Sequence, residues 1–167
     1  MQRFQKITPC LWFDDQAEAA AKFYCSIFDH AKITGLTHYS KVGQEFHGQP
    51  EGAVMTVSFE LDGHTFTGLN GGPLFKFSEA ISFQVSCQNQ EEVDYFWGNL
   101  SAGGPVEAQQ CGWLKDKFGV SWQIVPVAFM QMMLDADTSK SQRAMQAMFT
   151  MKKLDIAELE RAFAGRS

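Results

Sequence analysis

A repeated order of predicted elements narrows the fold of this chain more than any single motif does. Ile7 to Phe13 reads as a strand, and the run behind it sets Ala20, Phe23, Tyr24, Ile27 and Phe28 at three- and four-residue spacing, one face of a helix. Asp14-Asp15 precedes that run and Glu18 follows Asp15 by three residues, which predicts a capping-box start. Strands are expected at Lys32 to Tyr39, Ala53 to Leu61 and Thr65 to Asn70, the last two joined by a tight Asp62-Gly63 turn. The sum is β-α-β-β-β.

The order restarts at Ile81. A strand runs to Cys87, Asn89 is placed to cap a helix, and Val93, Phe96, Trp97 and Leu100 form an i, i+3, i+4, i+7 stripe that Gly103-Gly104 ends. A short strand near Val106 follows, then a hairpin from Cys111 to Pro126. Its turn is the charged Lys115-Asp116-Lys117-Phe118-Gly119, which ends in a glycine suited to positive φ. In its second strand Val120, Trp122 and Ile124 share one face, and Ser121, Gln123 and Val125 the other. Lys115-Asp116 reads as a solvated turn pair, with a counter-ion role for Lys115 as the alternative. The halves share element order rather than residues, and a polar loop from Ser40 to Gly52 lengthens the first. Beyond Pro126 three helices are expected, Phe129 to Leu134, Ser141 to Met151 and Asp155 to Phe163.

Length and charge bound what such a chain does. Its 167 residues, 45% of them hydrophobic, suffice for one domain that buries roughly two thirds of its extended surface. A net charge of −5, with no basic run longer than Lys152-Lys153, lacks the electrostatic footprint of a nucleic-acid binder. No signal-peptide core or membrane-length apolar run is visible, so the expected setting is the cytoplasm. Cys10, Cys25, Cys87 and Cys111 stand singly without CxxC spacing, which predicts buried, reduced thiols rather than disulfides. Cys111 has no histidine in its flanks and reads as a packing group. His30, His38, His47 and His64 show no metal-binding spacing.

The hairpin, together with Ile7-Thr-Pro-Cys-Leu-Trp-Phe-Asp-Asp15, Gly68-Leu-Asn-Gly-Gly-Pro73, Ile81-Ser-Phe-Gln-Val-Ser86 and Glu92-Val-Asp-Tyr-Phe-Trp97, resembles the PhnB-like branch of the vicinal oxygen chelate superfamily across almost the whole chain. Members of that branch often carry the label 3-demethylubiquinone-9 3-methyltransferase, and glyoxalase I, extradiol dioxygenases and bleomycin-resistance proteins are relatives. The resemblance implies an α+β fold. Two βαβββ modules, about 5–72 and 80–127 within a domain spanning 1–127, would form a cup-shaped mixed sheet, with 128–167 as a C-terminal helical extension.

Superfamily enzymes hold a metal at four cup-facing strand positions, which the resemblance places at Pro9, Thr67, Ser82 and Gln123. None is His, Asp, Glu or Cys, and neutral oxygens are weak ligands for a transition ion. A register slip from Pro9 to Cys10 would not mend the set. The metal site is therefore expected to be missing, and no cofactor is implied.

Ser82, Gln84 and Ser86 alternate with Ile81, Phe83, Val85 and Cys87, so one face of that strand is polar. Taken as cup-facing, that side makes Thr67, Ser82, Gln84, Trp113 and Gln123 the ligand-binding residues, with Trp113 the favoured wall among Trp12, Trp113 and Trp122. Trp113 is expected to share strand parity with Cys111 and Lys115. No catalytic residue is assigned. A metal-independent small-molecule-binding protein is the expected function, and a metal-independent lyase or isomerase acting on a small oxygen-rich metabolite is the alternative. Methyl transfer is not expected, because the glycine pairs Gly71-Gly72 and Gly103-Gly104 end a strand and a helix instead of following a first parallel strand. The Met- and Phe-rich tail (Phe129, Met130, Met132, Met133, Met145, Met148, Phe149, Met151) predicts a homodimer, unless it folds back on its own sheet.

Overall fold

The computed structural model describes residues 5–166, and the chain divides into two compact units, Met1–Phe77 and Ser78–Ser167. In the first unit, β1 (Cys10–Phe13), α1 (Ala17–Cys25), β2 (Lys32–His38), a short α2 (Gln44–His47) in the polar loop, β3 (Val54–Leu61) and β4 (His64–Asn70) follow in order. The sheet runs β1-β4-β3-β2, parallel between β1 and β4 and antiparallel elsewhere. Leu11, Phe13, Val57, Phe59 and Leu61 are buried, as are Ala17, Ala20, Ala21 and Tyr24 of α1. Cys10, Thr56, Ser58, Thr65 and Thr67 alternate onto the opposite side. Helix and sheet meet closely, since a Cβ on Gly68 would stand 3.1 Å from the Ala17 Cβ. The Asp62-Gly63 turn is as expected, with φ of 46° and 74° at its two central residues, the left-handed pair a two-residue hairpin needs.

The start of α1 differs from its expected form. Gln16, not Asp15, is the cap residue, and its side chain makes no capping bond. The Ala17 N–H donates instead to Asn70 Oδ1 at 2.8 Å, while Asn70 Nδ2 donates to the Val54 carbonyl at 3.1 Å. A buried amide at the end of β4 thus satisfies the helix start from 53 residues away, while Asp14 and Asp15 stay exposed and Glu18 pairs with Lys22 at 2.7 Å.

The second unit contains β5 (Phe83–Cys87), α3 (Gln90–Ser101), β6 (Trp113–Lys115), β7 (Ser121–Pro126), α4 (Val127–Met133), α5 (Thr138–Met148) and α6 (Ile156–Ala164). Its sheet runs β5-β7-β6, again with a parallel pair, β5 with β7, beside an antiparallel hairpin. Asn89 caps α3 as expected, its side chain accepting from the Glu92 N–H at 2.9 Å. Val93 and Leu100 of the stripe are fully buried, together with Cys87, Leu114 and Ile124 of the strands.

Two strand assignments are corrected. The segment near Val106 is a 3-10 turn, Val106–Ala108, not a strand. Pro105 opens it with no N–H for a ladder, and the Ala108 N–H bonds locally to the Pro105 carbonyl at 3.2 Å. The hairpin's first strand starts at Trp113, because Cys111 (φ 54°) and Gly112 (φ 83°) are left-handed and turn the backbone aside. Their N–H groups donate to Met151 and Lys152 carbonyls, both at 2.8 Å, so this corner is spent on the tail and Cys111 shares no strand with Trp113.

The tail packs within its own unit. Phe129, Met132, Ala144, Met151, Leu154 and Leu159 form a buried cluster against which Val125, Met133, Met148 and Phe163 pack. Gln90 of α3 holds it by both ends of its amide, donating to the Leu154 carbonyl at 3.1 Å and accepting from the Ile156 N–H at 2.9 Å. Met130, Leu134, Met145 and Phe149 stay exposed. No described helix is long and apolar enough to cross a membrane.

Replacing Asn70 by Ala orphans a buried N–H and a carbonyl at once. Urea denaturation of Asn70→Ala should show a loss of about 2–4 kcal/mol. An unchanged midpoint would show that α1 is capped by other means.

Candidate functional site

Strand pairing in the second unit lays six side chains on one face as two rows. Gln84, Gln123 and Trp113 are direct cross-strand partners, and Ser121 stands opposite Lys115. Ser82, one residue ahead of the Phe83–Trp122 pair, extends that second row. Strands lie about 4.8 Å apart and same-face residues of one strand roughly 7 Å apart, so the six span the footprint of a small organic molecule. Gln84 and Ser86 on β5, Ser121, Gln123 and Val125 on β7, and Trp113 and Lys115 on β6 share this parity, and only Lys115 among them is charged.

Hydrogen bonds fix part of this surface. Gln123 donates from Nε2 to Ser82 Oγ at 2.8 Å, and its Oε1 faces Gln84 Nε2 at 3.4 Å. Lys115 pairs with Glu79 from the stretch ahead of β5, with 24% of the lysine side chain exposed and 64% of the glutamate. The Lys115 ammonium, the backbone N–H of Glu79 and the lysine charge hold the Glu79 carboxyl below its ordinary range. Ser121 Oγ is buried and has no hydrogen-bond partner among the described residues. Neither Glu79 nor Ser121 was singled out from sequence. Parity with Gln123 was a usable signal for Ser121, whereas an ion pair across 36 residues leaves none.

Asp116 is no solvated turn residue. It is 1% exposed and accepts from the N–H groups of Phe118 at 2.8 Å and Val120 at 3.1 Å and from Trp122 Nε1 at 2.9 Å. Trp122 is thereby a core residue and not a wall of the polar face. Trp12, in the first unit, donates to the Gly72 carbonyl at 2.9 Å and meets Phe75 edge-on at 4.8 Å. Trp113 remains on the polar face, half-buried.

Thr67 lies on the first unit's sheet, between Cys10 of β1 and Ser58 of β3, and its N–H donates to the Pro9 carbonyl at 2.9 Å. The four positions that the resemblance implies for ligands meet two by two, Pro9 with Thr67 and Ser82 with Gln123. Their chemistry does not fit a divalent transition ion. Pro9 offers only a carbonyl engaged in the ladder, and Gln123 and Ser82 are bonded to each other through an amide N–H. Among the described residues no group of three or more His, Cys, Asp or Glu gathers.

An open depression of about 300 Å³ lies elsewhere in this unit, lined by Arg143, Gln146, Ala162, Gly165 and Arg166. Arg143 is committed there to the end of α6, donating to the Ala162 and Phe163 carbonyls at 3.0 and 2.7 Å.

The family model described as 3-demethylubiquinone-9 3-methyltransferase matches residues 5–125. Among solved structures, the chain is similar to a putative 3-demethylubiquinone-9 3-methyltransferase, PhnB protein, from Bacillus cereus, at 34% identity and a TM-score of 0.64, covering 74% of this chain and 100% of that one. It is also similar in fold to protein PA1353 from Pseudomonas aeruginosa, at 15% identity and a TM-score of 0.55, covering 74% and 98%. No curated protein matches.

The chain carries four thiols. All four are unpaired, but contrary to expectation Cys87 alone is fully buried, with Cys10 exposed and Cys25 and Cys111 between. Burial, and secondarily the Glu92 charge, push the Cys87 thiol up to about 12. A raised thiol pKa favours the folded state at neutral pH, a contribution lost as pH rises from about 9 toward 12. At pH 8 Cys87 should react with a thiol reagent at least roughly a thousandfold more slowly than in the urea-unfolded chain. Cys87→Ala should flatten the fall of stability above pH 9, and a native Cys87 labelled as fast as Cys10 would contradict the assignment.

Proposed function

The chain belongs to the family described as 3-demethylubiquinone-9 3-methyltransferase, and from that premise we propose that it is a metal-independent protein that binds a small molecule on the neutral polar face of the second unit's sheet. One observation carries this reading. Gln123, at a superfamily ligand position, is held by a 2.8 Å hydrogen bond to Ser82, at another, and stands in register between Gln84 and Trp113. Amides and hydroxyls fixed beside an indole suit orientation of a ligand with an aromatic or apolar body and oxygen-bearing edges. Thr67 offers the same neutral chemistry on its own sheet. Binding is favoured over a metal-independent lyase or isomerase because Lys115, the charged residue of the face, is engaged in an ion pair with Glu79 instead of standing free as an acid or base.

Methyl transfer finds no support in the glycines. A Cβ on Gly71 would fall 2.2 Å from the Trp12 indole, and one on Gly104 would fall 2.1 Å from the Lys115 carbonyl, so both answer to packing. The single cysteines, unpaired among the described residues, support a reducing, cytoplasmic setting. A homodimer remains part of the proposal. Most of the apolar tail is turned inward, and Met130, Leu134, Met145 and Phe149 are the surface left for a partner.

A thermal-shift screen of metabolites and aromatic antibiotics, run with and without EDTA, should yield ligands whose stabilisation EDTA leaves unchanged. Gln123→Ala and Trp113→Ala should each weaken such a ligand about tenfold by calorimetry. Hits abolished by EDTA, or unaffected by both substitutions, would overturn the reading. Light scattering at micromolar concentration should give the mass of two chains, and a monomer rejects the dimer.

A further inference from the structure

We infer that Lys115 and Ser121 form an anion subsite at one end of the polar face, which takes the carboxylate of a small carboxylic acid in the place that the Glu79 carboxylate now holds. This rests on the binding reading above and names the ligand class. The pairing register is the first argument. Lys115 and Ser121 are direct cross-strand partners on the face that carries Gln123 and Trp113, so a ligand lying along those two has its next row at an ammonium and a hydroxyl.

Unused bonding capacity is the second. An ammonium has three N–H donors, one of which meets Glu79 Oε1. Ser121 Oγ, buried and without a partner among the described residues, retains both a donor and its acceptor sites on the residue paired with Lys115. A carboxylate has two oxygens and satisfies both groups at once, one oxygen on each.

The present occupant is itself a carboxylate. Glu79 comes from the irregular stretch between the two units' sheets, outside any strand, and its side chain is largely exposed, so no packing fixes it over Lys115. An ion pair with so exposed a partner is weak and is open to exchange with a ligand of the same charge. A ligand with its acid on Lys115 and Ser121 would set its body against Gln123 and Trp113. Glu79 then acts as an internal competitor that lowers affinity for acids without touching neutral ligands.

Titration with a panel of small aromatic and aliphatic carboxylates, each beside its neutral amide, tests this. Benzoate against benzamide is the first pair, followed by tryptophan fluorescence and calorimetry. In the native chain acids should bind more tightly than their amides by fivefold or more. Glu79→Gln should raise acid affinity several-fold and leave the amides unchanged. Lys115→Met should erase the preference, Lys115→Arg should restore part of it, and Ser121→Ala should reduce acid binding about threefold to tenfold. Circular dichroism on each variant confirms folding. Amides and acids bound equally, or acid affinity indifferent to Glu79→Gln and Lys115→Met, overturns the anion subsite and leaves the binding face standing. A panel in which nothing binds overturns both.

Discussion

Each sheet depends on one parallel strand pair, β1 with β4 in the first unit and β5 with β7 in the second. Parallel neighbours cannot be joined by a tight turn, so the chain between them has to leave the sheet and return, and in both units it does so through a helix. That helix needs an apolar surface to lie on. Val57, Phe59 and Leu61 in one sheet, and Leu114, Trp122 and Ile124 in the other, are buried accordingly. Because strand side chains alternate, the same pairing assigns the remaining residues to the other side, where serines, threonines and glutamines stand among a few large side chains such as Trp12, Leu69 and Trp113. These more polar faces are thus the complement of the faces that α1 and α3 cover.

The grid of the second unit has a further requirement, that β6 stay in register on β7 although it is only three residues long. Asp116 meets it. A buried carboxylate accepting two turn N–H groups and the Trp122 indole ties the turn to the second strand, and Asp116 N–H and Val120 carbonyl close it at 2.9 Å. A one-residue slip would send Trp113 and Lys115 to the apolar side. The charge of Asp116 is therefore used to position neighbouring residues, and the free side of the hairpin is left with Lys115.

Most of the architecture was legible because it rests on local patterns. The Asn89 cap, the Val93 to Leu100 stripe, the Asp62-Gly63 turn and the positive φ of Gly119 each follow from a few adjacent residues. Several of the misreadings share a cause. Asn70 reaches α1, Cys111 and Gly112 turn to Met151 and Lys152, and Glu79 finds Lys115, all across distances in sequence that periodicity does not register. Asp116 is the instructive case, since a charged residue in a turn is ordinarily solvated. Only the indole and backbone donors folded around it make burial favourable. Of the five residues read as ligand-binding, Ser82, Gln84, Trp113 and Gln123 share one face of one sheet, and Thr67 lies on the other unit's sheet. Alternation identified the polar strand β5, while the hydroxyl of Ser121 on β7, unpartnered among the described residues, emerged only from the packing.

The tail shows the same economy at larger scale. A Met- and Phe-rich extension reads as surface in search of a partner, yet Gln90 grips it at Leu154 and Ile156 while the Cys111-Gly112 corner bonds to its backbone. These contacts bring the tail's apolar side over Val125, at the far end of the strand that carries Ser121 and Gln123. β7 is consequently tied at both ends, by Asp116 at its start and by the helical cluster at its finish. A strand clamped in this way keeps its side chains in fixed positions without metal ligands to hold them. In the binding reading proposed above, that rigidity is what would leave the hydroxyls and amides of Ser82, Gln84 and Gln123 placed to orient a ligand.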